Sequence, residues 1–265
     1  MSIPSALPTL FISHGAPTTA LSGTPAHHFM KTLHDLVPAA GIRAILAVSA
    51  HWETDQPMLG AATRPETIHD FYGFPQPLYE LRYPAPGDPA LAADIADLLN
   101  AAGFKAATDP RQGLDHGAWT PLLLGFPEAT IPVLQLSVQP HRDPAHHYAL
   151  GQALRPLREQ GVLVLASGSL THNLRELDRR GPQAPVLPWA SAFADWVNAA
   201  LTERRDEDMV AYRAKAPEAR RNHPTDEHFL PLFVALGAAT PGLPAQALHR
   251  SMEFGSLSMD SYRFA

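Results

Sequence analysis

Two short apolar runs near the start of the chain each lead directly into a histidine. Residues 10–13 and 43–50 have the mostly apolar character of buried strands, and they are followed by His14 and His51. Between these runs, Thr24 precedes Pro25, a pairing that is typical of a helix N-cap followed by the first helical position. The pattern therefore predicts a strand–helix–strand unit with a histidine at the end of each strand.

The same alternation continues through the rest of the chain and predicts an α/β fold. Further strands are predicted at residues 131–138 and 162–166, with a weaker final strand pattern in 255–264. Helices are predicted to begin at Asp88-Pro89 and Asp143-Pro144 and to cover 189–204 and 225–236, while the charged segment 214–223 is predicted to be a surface loop. We expect a three-layer αβα sandwich around a central, mostly parallel (mixed) sheet.

Composition narrows the class of protein. With 265 residues and 45% hydrophobic content, the chain can bury a large core, and we expect one catalytic domain over residues 1–265. The formal net charge of -6 and the lack of any Lys/Arg cluster longer than a pair argue against a nucleic-acid partner. Because the chain has no cysteine, any bound metal must have nitrogen and oxygen ligands.

The N-terminal stretch predicts neither a signal peptide nor a membrane anchor, since Pro4 and Pro8 interrupt its first apolar run. We therefore expect a cytoplasmic protein with no membrane partner. A single sequence displays no interface, so it predicts no oligomeric state.

Most of the 14 histidines are expected to have ordinary structural roles, because they lie on predicted helices or loops without a partner pattern. His14 and His51 differ. Strand ends in an α/β sheet converge on one crevice, and an imidazole buried there is costly unless its nitrogens are hydrogen-bonded or bound to metal. The two strand-end histidines therefore suggest half of a metal site. The histidines set aside are His27, His28, His34, His69, His141, His146, His147, His223 and His249.

Three further histidines lie in positions that suit the same crevice. His172 follows the predicted strand at 162–166 and the flexible Ser167-Gly-Ser169 turn. His228 is predicted to lie in the first turns of a helix capped by Thr225 or Asp226. His116 stands in a glycine-flanked loop that leads into a helix.

Ligand type leaves two chemistries open at such a site. An iron oxygenase commonly uses two histidines and one carboxylate, whereas three histidines with an open position also suit a zinc hydrolase. Successive helical residues diverge by about 100°, so only one of Asp226, Glu227 and His228 is expected to reach the metal. A serine hydrolase is disfavoured, because the chain contains no Gly-x-Ser-x-Gly elbow.

Five ordered motifs and the C-terminal segment together resemble the DODA-type extradiol aromatic ring-opening dioxygenases, the 4,5-DOPA dioxygenase branch of the class III (LigB-like) superfamily. The resemblance extends from His14 to Phe264, nearly the whole chain. The motifs are Ser-His14-Gly-Ala-Pro, Ser-Ala-His51-Trp, Leu-Asp-His116-Gly-Ala-Trp-Thr-Pro, Gly-Ser-Leu-Thr-His172-Asn-Leu and Glu-His228-Phe-Leu-Pro-Leu.

The resemblance implies a mononuclear metal site with His14, His51 and His228 as ligands. It implies that His172 is the acid/base residue and also a fourth ligand when substrate is absent, and that His116 lines the substrate pocket and assists catalysis. The implied cofactor is Fe²⁺ for activity, with Zn²⁺ possible in the same site. The implied partners are a small-molecule catechol, such as DOPA or caffeate, and O₂.

Two alternatives stand beside this hypothesis. A zinc-dependent hydrolase could use the same histidines with a metal-bound water, and a non-catalytic relative could keep only the fold. Aromatic side chains could form a wall that contacts the catechol ring, although aromatic residues near loops more often pack in the core. The candidates for this wall are Trp52, Trp119, Tyr72 and Phe74.

Overall fold

A central sheet of eight strands organises the chain. A computed structural model describes residues 6–37 and 39–265, so Pro4 lies outside the described residues. The strands within the described ranges are β1 (Thr9–Ser13), β2 (Ala44–Glu53), β3 (Met58–Gly60), β4 (Ala107–Asp109), β5 (Val133–Val138), β6 (Val162–Gly168), β7 (Gln246–His249), β8 (Met252–Glu253), β9 (Leu257–Ser258) and β10 (Ser261–Phe264).

Helices connect most of these strands. Within the same described ranges they are α1 (Pro25–Met30), α2 (Leu33–Leu36), α3 (Pro77–Glu80), α4 (Pro89–Ala101), α5 (His116–Gly125), α6 (Pro144–Leu154), α7 (Pro188–Thr202), α8 (Asp206–Val210), α9 (Tyr212–Lys215), α10 (Ala219–Asn222) and α11 (Leu230–Ala238). None of the helices in the described part of the chain has the length and apolar character needed to cross a membrane.

The strand order is β4-β3-β5-β2-β6-β1-β10-β7, with β8 and β9 forming a separate pair. The four central strands β5, β2, β6 and β1 are parallel, whereas β10 runs antiparallel to β1 and β3 runs antiparallel to β5. The expected mostly parallel, mixed sheet is therefore confirmed. The final strand predicted in 255–264 is present as β10.

Alternating residues of β2 explain the three layers. Leu46 and Val48 point into a core shared with α4, α6, α7 and α11, while Ile45 and Ala47 point into a second core shared with α1, α2 and α5. Because both faces of the central strands are apolar, helices must cover both faces. This arrangement leaves the carboxyl ends of the parallel strands open to a site.

The predicted helix starts at proline residues are confirmed. Thr24, Asp88 and Asp143 each accept a backbone N–H bond at the start of α1, α4 and α6, respectively. These short polar side chains satisfy N–H groups that have no partner within the helix, and the following proline lacks an N–H altogether.

Two predictions in the C-terminal third are wrong. The segment 214–223 is not a surface loop, since it contains α10 and ends at His223, which is fully buried and bonds the carbonyl oxygen of Leu170 at 2.8 Å through Nε2. The helix predicted over 225–236 begins only at Leu230, so His228 lies in the turn before α11 and not in its first turns.

Candidate metal centre

Five histidines converge at the carboxyl ends of neighbouring parallel strands. His14 directly follows β1, and His51 lies near the end of β2; β6 runs between these strands and leads to His172. His116 is the first residue of α5, and His228 lies in the turn before α11. The sequence prediction placed His51 after its strand, but β2 continues through His51 to Glu53.

Two glycines allow these elements to approach one another. A Cβ on Gly117 would stand 2.6 Å from Ser49 Oγ and 2.9 Å from His51 Cδ2, so only glycine lets the start of α5 pack against β2. A Cβ on Gly168 would stand 2.1 Å from the carbonyl oxygen of His228. That carbonyl instead accepts the Ser169 backbone N–H at 2.8 Å, which fixes the turn carrying His228 against β6.

The Nε2 atoms of three histidines meet at one point. His51 Nε2 lies 3.1 Å from His14 Nε2 and 3.2 Å from His228 Nε2. Two nitrogens bound to one ion at about 2.1 Å are themselves roughly 3.0–3.4 Å apart at bond angles of about 90–109°. Each of the two contacts made by His51 Nε2 therefore has the spacing of two ligands of one metal ion, and the rings of His14 and His228 lie with their centroids 5.6 Å apart on either side of it.

The hydrogen bonds on the opposite nitrogens determine which tautomer each ring adopts. Ser167 Oγ donates to the carbonyl oxygen of Gly117, so it must accept from His14 Nδ1, which lies 3.0 Å away. His14 Nδ1 therefore carries the proton, and Nε2 carries a lone pair directed at the other two histidines.

Carboxylates impose the same tautomer on the other two rings. His51 Nδ1 lies 3.3 Å from Asp70 Oδ2, and His228 Nδ1 lies 3.0 Å from Glu227 Oε1. A carboxylate can only accept, so the bond to Glu227 fixes the proton on His228 Nδ1, and the charge of Asp70 beside His51 Nδ1 favours the same tautomer in that ring. Both Nε2 atoms then hold lone pairs. Three converging lone pairs repel one another unless a cation lies between them, and the donor set therefore fits a metal ion.

The protonation state of these rings also suits metal binding. Burial, and after it the neighbouring histidines, hold the pKa values of His14 and His228 well below their ordinary range. Burial chiefly lowers the pKa of His51 to about 3. Neutral imidazole is the form that binds a metal, so the protein favours that form before an ion enters.

Asp70 connects two of the five histidines. Its Oδ1 accepts from the backbone N–H of His116 at 2.9 Å and from His116 Nδ1 at 3.0 Å, and its Oδ2 faces His51. Burial alone would raise the pKa of Asp70, but the hydrogen bonds and charge of His116 together with His51 outweigh it, so the pKa lies below its ordinary value. Sequence reasoning missed Asp70, which lies in a loop with no local motif.

His172 stacks face to face on His228, with ring centroids 3.4 Å apart and planes 10° from parallel. Its backbone N–H donates to the carbonyl oxygen of Asn222 at 2.9 Å. Its Nδ1 lies 3.8 Å from Glu227 Oε1, too far for a hydrogen bond. Burial lowers the pKa of His172 to about 4, against the opposing charge of Glu227. The imidazole is thus neutral, and none of the described residues lies at hydrogen-bond distance from its Nδ1.

Donor atoms form two adjoining groups within the described residues, each with its ligand atoms within 4.8 Å of one another. One group is His14, His51 and His116, and the other is His172, Glu227 and His228. The 3.2 Å contact between His51 and His228 joins them. The structure thus brings together all five of the histidines that the sequence singled out.

A cavity of about 510 Å³ opens onto this cluster. All five histidines line it, and the rest of its wall is mostly apolar. Of the four aromatic residues considered for that wall, only Phe74 lines it, whereas Trp119 is buried in the core and Tyr72 is 92% exposed. The aliphatic and aromatic side chains of the wall include Phe71, Phe74, Leu174, Leu177, Phe254 and Leu257.

A larger groove of about 730 Å³ beside Tyr148, Arg204 and Asp206 holds no histidine. Its charged side chains pair with one another, Arg204 with Asp206 at 2.6 Å. The smaller histidine-lined cavity is therefore the candidate site.

Several of the histidines set aside have structural hydrogen bonds. His147 is fully buried: its Nε2 accepts the Gln139 backbone N–H at 3.1 Å, and its Nδ1 lies 3.0 Å from the carbonyl oxygen of Asp143. His223 is satisfied through Leu170, as described above. The buried rings of His147 and His223 therefore have the structural roles that the sequence predicted for them.

The fold and site define a class: an α/β protein with a cluster of histidines that could hold a metal ion at the carboxyl ends of parallel strands. Residues 8–265 match the family model of the catalytic LigB subunit of aromatic ring-opening dioxygenase. The chain belongs to this LigB family, whose members are metal-dependent dioxygenases.

Relatives and a solved structure agree over nearly the whole length. The chain is 48% identical over 258 residues to a 4,5-DOPA dioxygenase extradiol of Beta vulgaris, covering 97% of this chain and 96% of the relative. It is 39% identical over 257 residues to the protein of the same name from Escherichia coli K12, covering 96% and 93%. The crystal structure of an uncharacterized protein from Escherichia coli K12 superimposes with a TM-score of 0.81 at 34% identity, covering 98% of this chain and all of that one.

Proposed function

We propose that this chain is an extradiol dioxygenase that opens the aromatic ring of a catechol with O₂. The observation that carries the proposal is the convergence of three Nε2 lone pairs, from His14, His51 and His228, at the base of an apolar cavity. Membership of the ring-opening dioxygenase family and relatives named 4,5-DOPA dioxygenase extradiol support it. The whole chain, residues 1–265, would form the catalytic domain, since the proposed ligands are spread from His14 to His228.

The proposed metal ligands are His14, His51 and His228. Their spacing and fixed tautomers support this set over the neighbouring group that contains His116. In His116, Nδ1 is held by Asp70, while the ring lies 4.0 Å from that of His51 and faces the cavity. We place His116 in the substrate pocket, where it would contact the bound catechol.

Ferrous iron is the proposed metal for activity, because ring opening with dioxygen needs an ion that can pass electrons, and zinc has no redox chemistry. Zinc binding in the same three-histidine site is expected as well, since imidazole suits both ions. The carboxylates Asp70 and Glu227 face Nδ1 atoms of the ligands and would tune them from outside the ligand set.

His172 is the proposed acid/base residue. It lines the cavity, it is neutral, and its Nδ1 has no hydrogen-bond partner at bonding distance among the described residues. A neutral imidazole can take a proton from a catechol hydroxyl and return it later. When no substrate is bound, the same residue could also serve as a fourth ligand, because its ligand nitrogen lies within 4.8 Å of that of His228.

The substrate would place its two hydroxyls toward the histidines and its ring substituent against the apolar wall. DOPA and caffeate are the catechols proposed first, on the names of the relatives and on the family resemblance. The cytoplasmic location expected from the sequence stays a prediction.

Oxygen uptake tests the proposal directly. Protein loaded anaerobically with Fe²⁺ is mixed with a catechol in air-saturated buffer. It should consume one O₂ per catechol and form a product that absorbs in the visible or near ultraviolet. Protein loaded with Zn²⁺ is the control and should consume none. If iron-loaded protein consumed no O₂ with DOPA, caffeate or simple catechols, the proposal would be wrong. Ester hydrolysis by the zinc form would then favour the zinc hydrolase.

A further inference from the structure

One carboxylate contacts both a proposed metal ligand and a proposed substrate-pocket residue. Asp70 Oδ2 lies 3.3 Å from His51 Nδ1, and Asp70 Oδ1 accepts two hydrogen bonds from His116, at 2.9 and 3.0 Å. His51 and His116 are thereby held with their ring centroids 4.0 Å apart. Of the groups that hold the three ligands, Ser167 and Glu227 each bond only one of the five histidines at hydrogen-bond distance.

The surroundings of Asp70 favour a single arrangement. Its side chain is 23% exposed, and that of His116 is 7% exposed, so water cannot easily replace their hydrogen bonds. His116 is also fixed by the start of α5, where Asp115 accepts the Ala118 backbone N–H at 3.1 Å. Asp70 therefore joins the rigid start of α5 to the strand that carries His51.

We propose that Asp70 is a positioning residue that sets the tautomers of His51 and His116 together, so that metal affinity and substrate binding depend on the same carboxylate. The inference rests on the proposed metal centre. Asp70 Oδ1 accepts from His116 Nδ1, and Oδ2 faces His51 Nδ1 at 3.3 Å. The negative carboxylate therefore favours the tautomers in which both Nδ1 atoms carry the proton and both Nε2 atoms are bare.

The variant Asp70→Asn tests this assignment, because asparagine keeps the shape but has only one accepting atom. If its oxygen faces the two donors of His116, its NH₂ faces His51 Nδ1 and forces a proton onto His51 Nε2, within the metal site. If it is reversed, the NH₂ opposes both donors of His116. Either arrangement places an N–H donor against an Nδ1–H and disfavours the native tautomer of one ring.

The first measurement is metal affinity, made on metal-free protein with Zn²⁺ as the probe in competition with a chromophoric chelator. We expect Asp70→Asn to weaken Zn²⁺ binding by about 10–100-fold, the usual effect of losing an outer carboxylate partner. The matched control is Asp94→Asn, an exposed aspartate on α4, which should bind as the wild type does. Nitrogen-15 NMR of the imidazoles should show an altered tautomer in Asp70→Asn alone.

The second measurement separates the two functions of Asp70. With saturating Fe²⁺, Asp70→Asn should still show a raised KM or lowered kcat for catechol, and this residual penalty should shrink in a His116→Gln background, since the two changes act through one contact. His116→Gln by itself should keep wild-type Zn²⁺ affinity.

Unchanged Zn²⁺ affinity and unchanged tautomers in Asp70→Asn would overturn the inference while leaving the proposed function intact. An equal fall in metal-free thermal stability and in affinity would also overturn it, because that result indicates a structural role. Failure of the wild-type protein to bind Zn²⁺ at all would instead contradict the proposed metal centre.

Discussion

At the scale of single residues, the candidate metal centre is defined by the group that faces Nδ1 of each histidine, on the side of the ring opposite Nε2. Ser167, Asp70 and Glu227 are chemically different, yet each favours a proton on the Nδ1 atom that it faces and leaves Nε2 free: Ser167 and Glu227 accept a hydrogen bond from Nδ1, and Asp70 faces it with a negative charge. Ser167 can only do so because its own hydroxyl proton is used by the carbonyl oxygen of Gly117. The identity of a ligand atom is thus set by a hydrogen bond on the opposite side of the ring.

The roles of His14 and His172 can be separated by mutation. His14→Ala removes a proposed ligand, so the variant should lose bound metal and, with it, activity. His172→Ala should retain metal but lose turnover by about 10²–10⁴-fold, the usual contribution of an acid/base residue. Metal content by atomic absorption and O₂ uptake measure the two effects. Equal metal loss in both variants would show instead that His172 is a principal ligand.

At the scale of elements, the sequence located the strands that carry His14 and His51 well and one helix start poorly. The apolar runs that end at His14 and His51 depend on local pattern alone, and β1 and β2 follow that pattern. The start of α11 depends on distant partners. Asp226 does not cap the helix, because its carboxylate accepts the Tyr212 hydroxyl at 2.7 Å and pairs with Arg213. Its backbone carbonyl accepts from residues 229 and 230 instead, forming the turn that carries His228.

That turn depends on Gly168, whose substitution gives a prediction at this scale. In Gly168→Ala the new methyl would lie 2.1 Å from the carbonyl oxygen of His228, so the turn must move away from β6. We expect a loss of about 1–3 kcal/mol in the free energy of unfolding, the usual cost of overpacking, and weaker Zn²⁺ binding because His228 moves with the turn.

Gly23→Ala is the matched control, since a Cβ there would meet no atom within 4 Å. It should leave both stability and metal binding unchanged. Urea unfolding of the metal-free protein and chelator competition measure the two quantities. Wild-type Zn²⁺ affinity in Gly168→Ala would show that the turn tolerates the methyl and that its position does not control the site.

At the scale of the whole molecule, the sequence predicted the layers and the five converging histidines, but not the network around them. The layers follow from apolar strand segments that alternate along the chain with capped helices. Both kinds of segment are recognised from local sequence patterns. Asp70 joins the site only because the fold brings its loop beside β2 and α5. The burial of His223 is equally non-local, because its ring packs against Phe193, Tyr212 and Phe229. The charged side chain of Arg221 in the same segment pairs with the distant Glu176.

Buried neutral histidines outside the centre make the fold sensitive to acid. Burial chiefly lowers the pKa of His147 to about 4, below the ordinary value of 6.5. Its contribution to stability is therefore complete above pH 6.5 and is lost as the pH falls from 6.5 towards 4, because the unfolded chain binds the proton first. Between pH 7.5 and pH 5 this amounts to about 2 kcal/mol in the free energy of unfolding.

The contribution can be isolated with His147→Gln, which removes the titrating group and keeps one donor and one acceptor for Asp143 and Gln139. Urea unfolding of metal-free protein at pH 7.5 and pH 5 should show that this variant loses about 2 kcal/mol less on acidification than the wild type does. His28→Gln, at an exposed position on α1, should follow the wild type. If His147→Gln lost as much stability as the wild type, the interior around α6 would have to accommodate a charged imidazole, and acid sensitivity would have to arise at other buried groups.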